Sequence, residues 1–446
     1  MSALRRRIGI RLPFSVGRSI AAAVGFGFCQ GGVSIAAPQV TFALAFLLVY
    51  ALSFFVVGPS EFRRPQAVYL ALLLGLVGLV IGTAIGWSQF AAPSSSRAEG
   101  VLRPTGSGSL LASMGMLLTI IGVLALTAYL ARIGTLPIFM PGAEQARVDA
   151  ATRGGAPLRV LGVVALPGTW LLATGSVVVR NKSLFALAVA ALTVVVLLWL
   201  ATANRAPAFV AVGVWVLAAI FAAGRARLGG KALFAVATAV AVGVLAAGLF
   251  GAIRASDRLA QVRDAPAAGR APVGLDGLVK LTTIAVRGYL AVPIQNLEFT
   301  MDAVPTRIPW RLGYTYVQPL LTALPGRQTT FDLDLKEALG QDFRGGGTVP
   351  GLLGESYANF GPLGWLVMPA LVAWFLQWSF WFAWRQRSAA AWTLHAYLLV
   401  HSVLALLSGL SVASPFPVMA ISILGIVTWL DLRARRLGRT VGAVHS

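Results

Sequence analysis

Long apolar runs separated by short polar connections dominate the chain. Eleven of these runs approach the roughly 20 residues that a helix needs to cross the hydrocarbon core of a bilayer. They cover residues 16–36, 39–58, 67–87, 109–131, 158–178, 183–202, 206–223, 232–252, 362–384, 389–411 and 415–431. The first run is the weakest, because Arg18 and Gln30 interrupt it. The pattern predicts an all-α polytopic integral membrane protein with about 10–12 transmembrane helices.

One long polar segment, residues 253–349, divides the chain into three predicted regions. Residues 1–252 form an N-terminal transmembrane region, and residues 350–446 form C-terminal transmembrane helices with a basic tail. Within the segment, 275–297 is moderately apolar but carries charged side chains, which favours a helix lying in the membrane interface. A connection of this length is typical of a lid or a binding segment that contains short helices.

Basic residues in the short connections predict the orientation, because cytoplasmic loops of membrane proteins are enriched in Lys and Arg. The connections at Arg180, 225–231 and Arg385 are basic, as is the C-terminal tail, and are therefore placed in the cytoplasm. The segment 253–349 then lies on the extracytoplasmic side. Four arginines near the N-terminus also favour the cytoplasm, which requires an even number of spans. Ten and twelve spans both remain open.

Composition agrees with a membrane protein and excludes some functions. Hydrophobic residues make up 57% of the chain and charged residues 11%, about half the charged fraction of a soluble domain. The basic connections account for the net charge of +21, so no nucleic-acid partner is expected, whereas membrane lipids are. The N-terminal stretch has no convincing signal-peptide cleavage site. The single Cys29 cannot form an intrachain disulfide.

The run 345–364 places a carboxylate, a phenol and an amide next to an apolar helix. Polar groups at membrane depth are costly and are candidates for function. Glu355 and Asn359 are four residues apart and share one helical face, whereas Tyr357 points elsewhere.

Prolines delimit this candidate helix. Pro350 suits a first helical turn, and Pro362 predicts a corner before the next span. The helix dipole is expected to keep Glu355 ionised. The alternative is that Glu355 only pins the helix to an arginine of the long segment.

Arginines on the predicted extracytoplasmic side indicate an anionic partner, because guanidinium groups bind phosphate oxygens bidentately. Each single arginine has an alternative as a snorkelling or ion-paired surface group. The catalytic candidates are Glu355, Arg205 and Arg254, and the substrate-binding candidates are Arg147, Arg287, Tyr289, Arg311, Tyr314, Tyr357 and Asn359.

Other chemistries have weaker support. His395 and His401 lack a third ligand at metal spacing, and Asp332 with Asp334 is a weak signal for a cation. The sequence contains no phosphate-binding loop, dinucleotide fingerprint or nucleophile elbow. We therefore expect neither a metal nor a cofactor.

The chain resembles the bacterial oligosaccharide repeat unit polymerase family, of the O-antigen polymerase type. The most specific match is 346–350 followed by 354–361, and the resemblance covers roughly residues 60–430. The matching blocks, in order, are 134–139 with Arg147, 202–205, 287–293, 313–316 with Pro325, 346–350 and 354–361. His395 and His401 do not correspond to the outer-loop histidine of the related ligases.

The resemblance implies an all-helical glycosyltransferase of the bacterial inner membrane, similar to the lipid-donor membrane glycosyltransferases. Such an enzyme joins polyprenyl-diphosphate-linked oligosaccharide units at the outer face, and the lipid diphosphate leaves. A chain-length regulator and a lipid-unit flippase are further candidate partners.

Physical roles can be assigned to the candidates on this interpretation. Arg147, Arg205 and Arg254 would stabilise the departing diphosphate, and Glu355 would act as base or orienter, with Asp257 a poorer choice. An O-antigen-ligase-like transferase and a transporter or flippase of lipid-linked saccharide remain alternatives. The lack of an internal repeat and the nearly charge-free spans favour surface chemistry over transport.

Overall fold

The computed structural model describes most of the chain. It covers residues 33–34, 38–58, 62–89, 107–134, 136–137, 156–202, 204, 206–224, 227–228, 275–321, 330–341, 347–412 and 417–444. The predicted span 232–252 lies outside these residues, and so does 16–36 apart from 33–34.

Helices dominate the described residues. Seven of them precede residue 225: α1 Pro38–Val57, α2 Pro65–Gln89, α3 Gly108–Ile133, α4 Ala156–Gly162, α5 Ala165–Val179, α6 Lys182–Ala201 and α7 Ala206–Ala222. Seven follow residue 274: α8 Leu275–Ala303, α9 Tyr314–Leu321, α10 Phe331–Ala338, α11 Gly351–Phe360, α12 Pro362–Gln386, α13 Ala389–Ser408 and α14 Pro417–Val444. Two-residue strands β1 Val33–Ser34 and β2 Arg227–Leu228 pair antiparallel.

The predicted fold class is confirmed. Among the described residues, seven helical segments are long and apolar enough to cross a membrane, with α4 and α5 together forming one of them through Pro157–Val179. The apolar helices α1, from Thr41 onward, and α7 are shorter. The chain is therefore an all-α, multi-pass membrane protein. The total number of spans stays a prediction.

Glycines bring the spanning helices into close contact. Gly78 and Gly82 of α2 face the backbone of Leu366 and Ala370 in α12, so these two helices run side by side in the same direction. A Cβ atom at Gly82 would collide with the carbonyl oxygen of Ala370. Small residues at helix interfaces allow this approach, which maximises van der Waals contact where burial against lipid supplies little driving force.

Side-chain contacts define a basic end of the bundle. Buried Asp431 of α14 accepts hydrogen bonds from the hydroxyls of Ser107, before α3, and Ser388, before α13. The connections at Arg180 and Arg385 lie at this same end, because the α5 C-terminus packs beside the start of α3. The basic connections at Arg180 and Arg385, both predicted to be cytoplasmic, therefore share one end.

The opposite end, called the loop end, carries the described residues 58, 62–64, 298–321, 330–341, 347–361 and 409–412. The predicted helix over 275–297 is confirmed as part of α8. Its C-terminal half is attached to the α1–α2 connection, where the Arg64 N–H donates to Glu298 Oε1 at 2.9 Å. The Arg64 guanidinium pairs with Asp302 at 3.0 Å. The described part of the long polar segment thus lies opposite the basic turns.

Candidate functional site

The helix predicted before the Gly361-Pro362 corner is confirmed as α11. Pro350 stands at its N-cap, and it ends at Gly361, whose φ of +62° favours glycine. Pro362 then begins α12, where its missing N–H costs nothing. A short helix therefore meets a spanning helix at a sharp corner at the loop end.

Close packing fixes α11 between α8 and α13. A Cβ at Gly354 would lie 3.0 Å from the Thr300 hydroxyl of α8, and one at Gly351 would lie 3.3 Å from the Leu406 carbonyl of α13. Seven of the first eight residues of α11 are buried. The helix is therefore a rigid support for the side chains it carries.

Glu355 is completely buried in this arrangement. Its Oε2 accepts the backbone N–H of Ser411 at 3.2 Å, from the turn that follows α13. Its Oε1 has no hydrogen-bond partner among the described residues. A buried carboxyl oxygen without a partner is costly and is a strong indicator of function.

Burial of Glu355 acts against the helix dipole, which is expected to favour the ionised carboxyl. Burial raises the pKa of the Glu355 carboxyl, and the neighbouring Ser411 and Thr315 hydroxyls offset this only in part. Glu355 is the fifth residue of α11, beyond the first turn where the dipole acts most strongly. No cation among the described residues pairs with it, so desolvation dominates.

Asn359 shares the helical face of Glu355, as predicted, but its amide is engaged within the protein. Oδ1 accepts the Gly313 N–H at 2.8 Å, while Nδ2 donates to the Thr315 hydroxyl at 2.7 Å and to the Glu355 carbonyl at 2.8 Å. The side chain is completely buried. Asn359 therefore fastens the start of α9 to α11.

Tyr316 is a site residue that the sequence analysis did not select. Burial, followed by the nearby Glu355 charge, raises the pKa of its phenol. The phenol lies beside Ser356 and Asn359, yet its oxygen makes no well-aligned hydrogen bond among the described residues. The sequence feature that could have identified Tyr316 is its position two residues after the substrate-binding candidate Tyr314. Only the fold of 311–316 over α11 brings it to Glu355.

Tyr357 points away from Glu355, as predicted. It stacks on Trp365 with ring centroids 5.3 Å apart and meets Trp310 edge-on at 5.2 Å. Burial raises the pKa of the Tyr357 phenol, and the Arg64 charge lowers it. An aromatic group with a nearby cation therefore lies on the other side of α11.

The remaining described candidates are separate from Glu355. The Arg311 guanidinium forms a salt bridge with Asp334 at 2.7 Å. The backbone N–H of Arg311 donates to the Ala358 carbonyl. This salt bridge engages one carboxylate of the weak cation candidate at Asp332 and Asp334. Tyr314 is exposed. Arg311 thus helps to hold α10 beside α11.

Arg287 is exposed on α8 and donates to the carbonyl of Val56 at 3.2 Å, near the end of α1. Tyr289 lies in α8, but its side chain is outside the described part. Arg147, Arg205, Arg254 and Asp257 also lie outside the described residues.

The arrangement suits proton transfer or hydroxyl binding at the loop end. Within the described ranges no group of three or more His, Cys, Asp or Glu side chains could hold a metal. Comparisons with protein families, curated proteins and solved structures found no match.

Proposed function

We propose that this protein polymerises polyprenyl-diphosphate-linked oligosaccharide repeat units by glycosyl transfer at the outer face of the bacterial inner membrane. The observation that carries the proposal is the buried Glu355, whose Oε1 has no partner among the described residues. It lies at the loop end, opposite the basic connections at Arg180 and Arg385. The positive-inside rule assigns that end to the extracytoplasmic side, where assembled lipid-linked units would be joined.

The reaction assigns a defined task to Glu355. A hydroxyl of the acceptor unit attacks the anomeric carbon of the growing chain, and the bond to the lipid diphosphate breaks. Glu355 accepts the proton of that hydroxyl. The burial that raises its pKa also strengthens it as a base, because catalytic efficiency is greatest when the pKa approaches the working pH.

Departure of the diphosphate requires positive charge. Arg311 is neutralised by Asp334, so it is not the main source of this charge. We therefore retain the sequence-based assignment of Arg147, Arg205 and Arg254 to the diphosphate, without a metal.

Glu355→Gln and Arg205→Ala should each abolish long-chain polysaccharide in cells while single repeat units accumulate. Glu337→Gln is the matched control, because Glu337 is an exposed acid on α10. Polysaccharide ladders on gels, with immunoblots of membrane fractions, measure both polymer and protein. Normal polymerisation by both site variants would contradict the proposal.

A proton-coupled transporter of lipid-linked saccharide is the second candidate. A buried acid with a raised pKa and no cation partner among the described residues also suits a proton carrier. In proteoliposomes, a transporter would move the lipid-linked unit in response to a pH gradient without lengthening it. A ligase would be distinguished by the product that accumulates in cells without the protein, namely long glycan chains that are not attached to their final acceptor.

A further inference from the structure

Three buried polar atoms meet at Glu355 without well-aligned hydrogen bonds among the described residues. They are Oε1 of Glu355, the phenol oxygen of Tyr316 and the hydroxyl oxygen of Ser411. They come from three segments that are distant in sequence, namely α11, α9 and the turn after α13. Buried polar groups are nearly always paired in folded proteins, and an unpaired one costs free energy. Three such atoms at one place indicate a binding function.

We propose that Glu355, Tyr316 and Ser411 together bind the hydroxyl-bearing edge of the acceptor saccharide. The attacking hydroxyl donates to Glu355 Oε1, while the Tyr316 and Ser411 hydroxyls bind neighbouring sugar oxygens. This inference rests on the proposed function and adds two substrate-binding residues to it.

The chemistry of the three groups selects a neutral polyol over the other parts of the substrate. Hydroxyls and one carboxyl can both donate and accept hydrogen bonds, as sugar hydroxyls do. A diphosphate would be repelled by the Glu355 carboxylate, and no cation among the described residues lies beside that carboxylate to compensate. The donor diphosphate therefore binds elsewhere, and this group of residues belongs to the acceptor.

Two of the three groups are held in place by neighbouring contacts. Asn359 fastens Gly313 and Thr315 to α11, which positions Tyr316 one residue later. Glu355 is fixed by the packing of α11 itself. Ser411 is brought to the carboxylate by its own backbone, whose N–H donates to Glu355 Oε2 at 3.2 Å. The turn 409–412 therefore forms one wall of the proposed saccharide site.

The first experiment separates a ligand-binding role from a structural one. Tyr316→Phe and Ser411→Ala each remove a hydroxyl that makes no well-aligned hydrogen bond among the described residues, so Tm should stay within about 2 °C of wild type or rise. The KM for the lipid-linked repeat unit should rise about tenfold per variant, as expected for one lost hydrogen bond. Tyr69→Phe and Ser88→Ala are controls at exposed positions away from the group. A lower Tm with unchanged KM would overturn the inference.

The second experiment uses the full-length wild-type protein in detergent. A hydrophobic carbodiimide should label Glu355, and mass spectrometry of the digested protein would locate the adduct. The lipid-linked repeat unit, extracted from cells that lack this protein, should slow the labelling. Polyprenyl diphosphate without sugar should leave it unchanged. Protection by both lipids, or by neither, would overturn the inference.

The two proposals fail separately. If wild-type protein does not lengthen the glycan but the sugar-bearing lipid protects Glu355, polymerisation is wrong and the saccharide site stands. If the protein polymerises but neither variant changes KM and no protection occurs, only the saccharide site is wrong.

Discussion

A Cβ atom at Gly409 would lie 2.8 Å from Oε2 of Glu355. Gly409 also has a φ of +94°, a conformation that residues with side chains rarely adopt. The turn after α13 and the acid of α11 are thus fitted to each other across the loop end, and Ser411 completes the contact through its N–H. This relationship makes the turn as important to the proposed site as α11.

Gly409→Ala should therefore reduce polymerisation strongly and lower Tm. Gly134→Ala is the matched control, because Gly134 has a φ of +73° but no described residue lies within 4 Å of an added Cβ. Both variants carry the backbone cost of about 1 kcal/mol, whereas only Gly409→Ala displaces the carboxylate. Equal Tm values and equal polymer ladders for the two variants would contradict the proposed fit.

The stability of the Glu355→Gln variant relative to wild type should increase as the pH rises. The unfolded carboxyl ionises near its ordinary pKa of 4.5, while burial raises the folded pKa. The stability that the protonated acid contributes is complete below the unfolded pKa and is lost as the pH rises through the folded pKa. The glutamine side chain of the variant does not ionise in this range, so the variant does not lose stability in this way.

Thermal unfolding of the purified Glu355→Gln and wild-type proteins at several pH values from 4 to 8 would measure this difference. The difference in Tm should be smallest at the acidic limit and should grow with pH. Glu337→Gln, at an exposed position, should show no comparable trend. A constant difference across the pH range would show that burial does not control the ionisation of Glu355.

Asn359→Ala should loosen the segment that carries Tyr316. It removes hydrogen bonds to Gly313, Thr315 and the Glu355 carbonyl, which are all internal to the protein. We expect a destabilisation of about 1–3 kcal/mol and faster proteolysis within 311–321. Thr315→Val removes only one of these bonds and should have a smaller effect. A larger effect for Thr315→Val would contradict this assignment.

Arg435→Ala should destabilise the basic end. Among the described residues, it leaves the completely buried Asp431 carboxylate with the hydroxyls of Ser107 and Ser388 and the Ser107 N–H as its remaining partners. Removing one partner of a buried ion pair costs about 3–5 kcal/mol. Asp431→Asn in the same chain should recover part of this loss, because it removes the uncompensated charge. Additive losses in the double variant would contradict the coupling.

Gly82→Ala should separate α2 from α12 and reduce the amount of folded protein in the membrane. The added methyl group would meet the rigid backbone carbonyl of Ala370 rather than a movable side chain. Gly425→Ala is the matched control in α14, since no described residue lies within 4 Å of its added Cβ. Size-exclusion chromatography of detergent-solubilised membranes would measure the yield of monodisperse protein for each variant. Equal yields would contradict the close-contact explanation.

The amino-acid sequence determined the membrane class, most helix positions and the common end of the basic connections at Arg180 and Arg385. These features depend on hydrophobic length, proline position and loop charge, which are local properties of the chain. The α11 corner at Gly361-Pro362 and the shared face of Glu355 with Asn359 were predicted for the same reason.

Only the tertiary structure decided the environment of Glu355. Its burial depends on Ser411 and Thr315, which are 56 and 40 residues away in the sequence, so spacing within α11 could not reveal it. Burial raises the pKa of this acid because loss of water disfavours the charged form, an effect that the position of Glu355 within α11 does not reveal. Tyr316 joined the site, and Arg311 was paired with Asp334, through contacts between segments that no local pattern encodes.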